Sequence, residues 1–388
     1  MPISIESKKR CTGCEACYNI CPVKSVSMIS DNCGFKYPRI NTDTCINCER
    51  CVRVCPMLSD KNRDNSYTAS VYAAWSQNED TRFMSTSGGI FTELALAVVE
   101  QGGVVVGAAY DTNNNISHEV AADKKSLERL RQSKYAQSSI GDIYSKIKEL
   151  LEQHLVLFCG SPCQVAGLIN YLDGKCDNLI TLDFICRGVN SPKAYFSWIA
   201  EIESRERSKV KRIWYKYKED GWKKSPRCTR IDLVNGKTII QKGDFNYYMM
   251  GYLDSNLYVR PSCSECIFKG AERISDITLG DFWGVKAALD DDQGTSMVRI
   301  NTMKGEDLFH SITSNIEFYY CDENEIDEGN KMFKKSIAIN PLSEQFLSDL
   351  GKGKSFSKMV RLYSLNSSKK KLKHTVKRIL HRVRLYNP

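Results

Sequence analysis

Two cysteine runs constrain this chain more than any other feature. "CTGCEACYNICP" places Cys11, Cys14 and Cys17 at three-residue steps, followed by Cys21 and a proline. "CINCERCVRVCP" repeats the pattern 34 residues later with Cys45, Cys48, Cys51 and Cys55. Three thiolates so spaced grip one iron–sulfur cube, and the fourth of each run ligates the other cube. Cys11, Cys14, Cys17 and Cys55 are therefore expected at one cluster, and Cys45, Cys48, Cys51 and Cys21 at a second. Two zinc sites are the competing reading, but a doubled Cys-x3-Cys-Pro is not a zinc-ribbon spacing. A segment with so little apolar content depends on its metal ligation to fold.

This is the spacing of a two-cluster bacterial ferredoxin, a carrier of single electrons. Cys33 lies between the runs, fits neither, and reads as a buried or incidental thiol. "SDKNRDNS" (59–66) is polar and reads as a linker. The 388-residue chain then continues far beyond what a carrier needs. The expected divisions are a ferredoxin domain at 1–62, two parts of a larger body at 68–150 and 151–345, and a tail at 367–388.

Seventeen cysteines in a chain whose N-terminus has no apolar signal region point to metal ligation in a reducing cytoplasm rather than to disulfides. No apolar run reaches the length of a membrane span. Of the net charge of +9, eight Lys or Arg lie between Ser367 and Pro388 without an acid, and the remaining 47 bases nearly balance 46 acids. Nucleic-acid binding by the body is therefore not expected. No Ser-His-Asp, His-Glu-x-x-His or Walker arrangement is present, which leaves hydrolysis and phosphoryl transfer without a candidate site.

The body alternates strand and helix patterns, which implies an α/β fold with a mostly parallel sheet. "GVVVGAAY", "HLVLFCG" and "LITLDFIC" read as strands; "GGIFTELALAVVEQG", "VAGLINYL" and "SPKAYFSWIAEIESRE" read as helices. Cys163 follows one strand and Cys186 ends the next. Successive parallel strands deliver their C-terminal ends to one sheet edge, where α/β proteins place their sites. With Cys263 and Cys266 of "RPSCSECIFKG", the two could complete a four-thiolate site. The alternative is that both pack as small apolar residues, as free cysteines commonly do. Cys159 is a nearby competitor. Cys176, Cys228 and Cys321 read as core thiols.

The segments "STSGGIFTELA", "SKYAQSSIGDIY", "LFCGSPCQVAGL", "FICRGVNSPKAY", "PSCSECIFK", "ISDITLGDFWG" and "GTSMVRINTMKG" resemble, in order, the beta subunits of coenzyme F-420 (deazaflavin) hydrogenases and dehydrogenases. Ferredoxin-fused relatives include 7-hydroxymethyl chlorophyll reductase and members from polysaccharide gene clusters. The resemblance implies an α/β fold that is not a Rossmann domain, and the chain indeed has no Gly-x-Gly-x-x-Gly after a strand. It implies FAD in the body and a third 4Fe-4S cluster on Cys163, Cys186, Cys263 and Cys266. The expected flavin contacts are Ser85, Ser87, Gly88 and Gly89 at a helix start, Lys134, Tyr135, Gln137 and Ser138, and Asp281 with Trp283 at a strand end. Backbone amides at a helix start suit a pyrophosphate. An ordinary capped loop, a surface lysine and a core tryptophan are the bland counterparts. His118 is the candidate proton donor, set against a solvated or core histidine.

The expected function is an iron–sulfur flavoprotein oxidoreductase. It takes electrons from a ferredoxin-like donor or redox partner subunit and passes them to a small-molecule acceptor, either a deazaflavin coenzyme or a glycan or lipid-linked sugar precursor. The alternatives are an electron-transfer subunit without a substrate of its own and a cluster-bearing scaffold without flavin. In the tail, Leu372, Val376, Ile379, Leu380 and Val383 recur at helical spacing among basic residues. This is the pattern of a helix lying on an anionic membrane surface, and it would seat a cytoplasmic protein peripherally on the inner membrane face. A solvated basic tail, or one touching nucleic acid, is the counter-reading.

Overall fold

The duplicated cysteine runs are a duplicated structure. Each run turns through a glutamate in the left-handed region, Glu15 (φ 61°) and Glu49 (φ 60°), into a short helix, α1 (Ala16–Ile20) or α2 (Arg50–Arg53). Between them β1 (Val26–Ser30) and β2 (Lys36–Ile40) form an antiparallel hairpin with Val26 opposite Ile40. The computed structural model describes residues 3–4, 7–59, 67–174 and 176–364. Most of the expected linker and the whole basic tail lie outside these residues.

The body is built on β3 (Ser70–Ser76), β4 (Val104–Tyr110), β5 (Ile116–Ala121), β6 (Val156–Cys159), β7 (Leu179–Phe184), β8 (Val210–Tyr215), β9 (Cys228–Leu233), β10 (Thr238–Lys242), β11 (Ile277–Asp281), β12 (Ser296–Ile300) and β13 (Ile316–Cys321). Eight of them form one sheet in the order β13-β3-β12-β11-β7-β6-β4-β5. The central four, β11, β7, β6 and β4, run parallel. These strands read as short apolar runs because both faces are covered: Val156, Leu157 and Phe158 are all fully buried. Antiparallel strands extend the sheet on both flanks. Strands from before and after residue 150 share this sheet, with β3 seated between β13 and β12 and β4 beside β6, so both parts of the body share one framework.

One face carries α4 (Ile90–Glu100), which follows α3 (Glu79–Phe83), together with α5 (Lys124–Leu130) and the helix Met303–His310. Ile90, Leu94, Val98, Leu127 and Phe309 pack there with Val105 and Leu157. The other face carries α6 (Ile143–Leu150) and α7 (Pro162–Tyr171), and the N-terminal iron–sulfur region packs on top of them. A separate three-stranded antiparallel sheet, β10-β9-β8, packs with α8 (Pro192–Glu206) and the helix Phe356–Ser364 around a core rich in Tyr and Trp. Sequence reasoning missed this sheet. Asn235-Gly236, with Gly236 at φ 87°, was its legible hairpin signal.

Candidate functional site

The parallel strands place the C-terminal ends of β4, β6, β7 and β11 at one edge, and a cavity of about 620 Å³ opens there. Cys163 enters its wall from the first turn of α7, which Ser161 and Gln164 cap reciprocally. Cys186 enters from the loop after β7. Cys263 and Cys266 arrive on a short 3-10 turn, Pro261–Glu265, and its exit. These four thiols share one neighbourhood. Burial pushes the Cys163 thiol up, and Cys186, Cys266 and Cys14 push it further. Cys263 is raised by burial and by Cys186, Cys163 and Cys266, and Cys186 by burial and Cys266. Gly188, at φ 135°, lets the backbone pass the Cys263 side chain, since an added Cβ would lie 3.2 Å from that residue's Cβ. Among the described residues no three His, Cys, Asp or Glu converge on a single metal ion. A zinc ion draws its sulfurs to one point, whereas a cube offers each thiolate its own iron.

In the N-terminal region Cys14 and Cys17 are raised by burial and by one another's neighbourhood of Cys11 and Cys55. Cys51, which is expected in the other set, is also among the neighbours of Cys17. Of the other set, Cys51 accepts a bond from the Ile3 amide and Cys21 one from the Ser25 amide. Cys45 and Cys48 are only half-buried, with Ile46 exposed between them.

Of the expected flavin contacts, Ser85, Ser87, Gly89, Lys134, Tyr135, Gln137, Ser138, Asp281 and Trp283 all line the cavity, as does His118. Gly89 is the N-cap of α4, at φ 94°, and no side chain caps that helix start. The Thr92 amide donates to the Gly89 carbonyl, which leaves the Ile90 and Phe91 amides of the first turn facing the cavity, the kind of cradle that suits an anionic group. Gly88 does not line the cavity. It sits between strands, where an added Cβ would meet the Ala74 carbonyl at 2.4 Å. Several polar side chains are committed within the protein. Ser85 and Ser87 donate to the Thr81 and Thr295 carbonyls. The Lys134 ammonium donates to the carbonyls of residues 129 to 132 at the end of α5, and burial pulls it down to about 7. Gln137 donates to the Thr12 and Gly13 carbonyls, and Ser138 accepts from Gln164.

Asp281 pairs with Lys216, a cavity residue that sequence reasoning missed. Trp283 stacks on Trp222 with ring centroids 4.1 Å apart and planes at 9°. His118 is buried and stacks on Phe158 at 5.4 Å. Burial pushes its pKa down to about 4. Its Nε2 lies 3.2 Å from the Cys159 carbonyl, which assigns the ring proton to Nε2. Nδ1 is left with a bare lone pair and no partner. At neutral pH His118 is thus uncharged, with its Nε2–H donated to the Cys159 carbonyl. The Cys159 thiol, raised to about 12 by burial, belongs to the cavity wall and not to the four-thiol group. Cys228 and Cys321 are buried as core thiols.

Arg260 also escaped the sequence reading, because its partners are remote in the chain. It is fully buried between the iron–sulfur region and the body.

Four family models match the chain. The coenzyme F420 hydrogenase/dehydrogenase, beta subunit N-terminal model covers residues 71–143, and its C-terminal counterpart covers 153–325. Two models described as 4Fe-4S dicluster domains cover residues 10–58 and 37–92. Among solved structures, a chain of the F420-reducing [NiFe] hydrogenase complex from Methanosarcina barkeri is similar at 17% identity and a TM-score of 0.46. The match covers 80% of this chain and 92% of that one. No curated protein matches.

Proposed function

From the premise that the chain belongs to the coenzyme F420 hydrogenase/dehydrogenase beta subunit family, with a 4Fe-4S dicluster region in front, we propose that it is an iron–sulfur flavoprotein oxidoreductase. It draws on a ferredoxin-like donor or a redox partner subunit and serves a small-molecule acceptor, a deazaflavin coenzyme or a lipid-linked sugar precursor. The observation that carries this reading is a shared wall. Cys163 and Cys186 border the same cavity as the uncapped start of α4. Clusters carry single electrons, and FAD, when bound, converts them to two-electron exchange with an acceptor.

The chain's own residues then have separable tasks. Cys163, Cys186, Cys263 and Cys266 would hold the third cluster. The amides at Gly89 and Ile90 would receive the pyrophosphate. The stacked Trp222 and Trp283 fix one apolar wall, while the Lys216–Asp281 pair sets a charged edge beside it. His118 stays neutral, its Nε2–H held by the Cys159 carbonyl.

The test is extraction of cofactors from anaerobically purified full-length chain. FAD at about one per chain with iron in all clusters is expected, and cluster-replete protein without flavin would refute the enzyme reading. A second reading, an electron-transfer subunit of a larger complex, is favoured by β13. This strand forms a sheet edge on which Phe318, Tyr319 and Tyr320 are all exposed, Tyr320 by 73%. Stable co-purification with a partner and no turnover alone would select it.

A further inference from the structure

Arg260 has a relative exposure of 0%, yet among the described residues no carboxylate pairs with it. Its Nε donates to the Cys11 carbonyl at 2.9 Å and one Nη to the Gln137 amide oxygen at 2.7 Å. The other Nη donates to the Lys36 carbonyl at 2.9 Å and lies 3.6 Å from the Cys11 Sγ. The guanidinium is sandwiched by Tyr37 and Phe35, 4.5 and 5.2 Å from the ring centroids. Every partner is neutral except the thiol, which becomes anionic on binding iron. A buried cation without a counter-ion is costly. Among the described residues, the hydrogen-bond partner of the guanidinium that can carry negative charge is the Cys11 sulfur, and with it the cluster to which Cys11 would contribute.

We propose that Arg260 is a positioning and potential-setting residue for the cluster of Cys11, Cys14, Cys17 and Cys55. This rests on the cluster assignment above. When such a cluster gains one electron it gains one negative charge, and no bond is made or broken. A fixed guanidinium hydrogen-bonded to a ligating sulfur favours the more negative form, because charge and hydrogen bonds at the sulfurs set the reduction potential. Arg260 therefore raises the potential of this cluster. It stands three residues before Cys263, so the same side chain ties the N-terminal cluster to the turn that carries two of the four body thiols. The step between the two sites is thus both held in place and biased by one residue.

The test is EPR-monitored redox titration of iron-replete, anaerobically purified full-length protein as wild type, Arg260→Lys and Arg260→Gln. Each is repeated with Cys163→Ser to remove the third cluster's signal. Arg260→Gln is expected to lower one N-terminal cluster's reduced-to-oxidised ratio at fixed potential at least about tenfold, about 59 mV for a one-electron couple. Arg260→Lys, which keeps the charge, should recover most of that shift. A clamp without an electrostatic role would change stability in both variants and leave the potentials of both N-terminal clusters alone. An unchanged potential in iron-replete Arg260→Gln overturns the proposal. If the Gln variant does not fold, hyperfine spectroscopy on wild type labelled with guanidino-¹⁵N arginine decides. Coupling of a guanidino nitrogen to a reduced cluster supports the proposal, and its absence overturns it. Wild type that lacks the eight-cysteine iron would instead overturn the cluster assignment itself, and the proposal with it.

Discussion

Replacing Cys163 or Cys186 with serine interrogates the third thiol group without touching either cysteine run. The two runs account for two cubes, and the four body thiols account for one more. Wild type should then carry about twelve irons, and each variant about eight, a loss of one third. The structure explains why one hydroxyl is enough to empty the site. Burial raises the Cys163, Cys186 and Cys263 thiols, so each must release its proton before its thiolate can bind iron. A serine hydroxyl is far less acidic and would leave one iron without a thiolate. Cys159→Ser and Cys228→Ser are the controls. Both thiols are raised to about 12 by burial, and neither has another cysteine among its charged neighbours. Iron per chain is read by colorimetry after anaerobic purification, and the two N-terminal signals by EPR. If Cys163→Ser and Cys186→Ser both retain wild-type iron, or wild type holds only about eight, the four-thiol assignment is wrong.

Gly88→Val should compromise folding rather than flavin binding alone, by about 3 kcal/mol as overpacking against backbone, because the new Cβ lies 2.4 Å from the Ala74 carbonyl and 2.9 Å from the Ser296 amide. Soluble yield and thermal unfolding check this, and normal stability with selective flavin loss would contradict it. His118 has a folded pKa of about 4 against an ordinary value of 6.5. As pH falls through 6.5 the unfolded chain takes up a proton that the folded one refuses, so stability falls until about pH 4. The cost at pH 5 is about 2 kcal/mol, and denaturant titrations should show His118→Leu losing less than wild type between pH 7.5 and 5. For the basic tail, full-length protein should sediment with anionic liposomes at low salt and a chain ending at Asn366 should not, each basic residue contributing about 1 kcal/mol. Equal sedimentation of the two would exclude a membrane role for the tail.

Readability from sequence followed the range of the interactions. The cysteine runs were legible because each places three ligands within seven residues. The four body thiols were legible only as candidates. Strand-end positions put Cys163 and Cys186 at one sheet edge, but nothing local tells a crevice thiol from a packed one. The parallel centre of the sheet announced itself through apolar runs such as "VLF" and "VVV". The strand β3 was also legible, but its pairing with β13 was not, since the two meet across some 240 residues. Residue type alone did not show which side chains are already committed within the protein. Lys134 looks like a charge for a ligand, yet its ammonium closes the end of α5 on four carbonyls. Gln137 lines the cavity but spends its amide on Thr12, Gly13 and Arg260. Both assignments depend on where the chain returns from elsewhere.

That return has a direction. On α7, Cys163 and Gly167 are four residues apart and so lie on one helix face. A side chain at Gly167 would stand 3.2 Å from both the Cβ and Sγ of Cys14 and 3.1 Å from the Tyr144 hydroxyl. The missing side chain therefore lets the Cys14 thiol rest on the face that carries Cys163, and Cys14 is among the groups that raise the Cys163 thiol. Cys45 and Cys48 lie farther out, half-buried, with Ile46 60% exposed. In the proposed reading this orders the sites. An outside donor meets the Cys45–Cys48 end, the Cys14 set follows, α7 bridges to the four body thiols, and the cavity lies beyond them. Each element of that order is set by packing. A residue larger than glycine at 167 would separate the second and third sites while leaving all twelve candidate ligands in the chain.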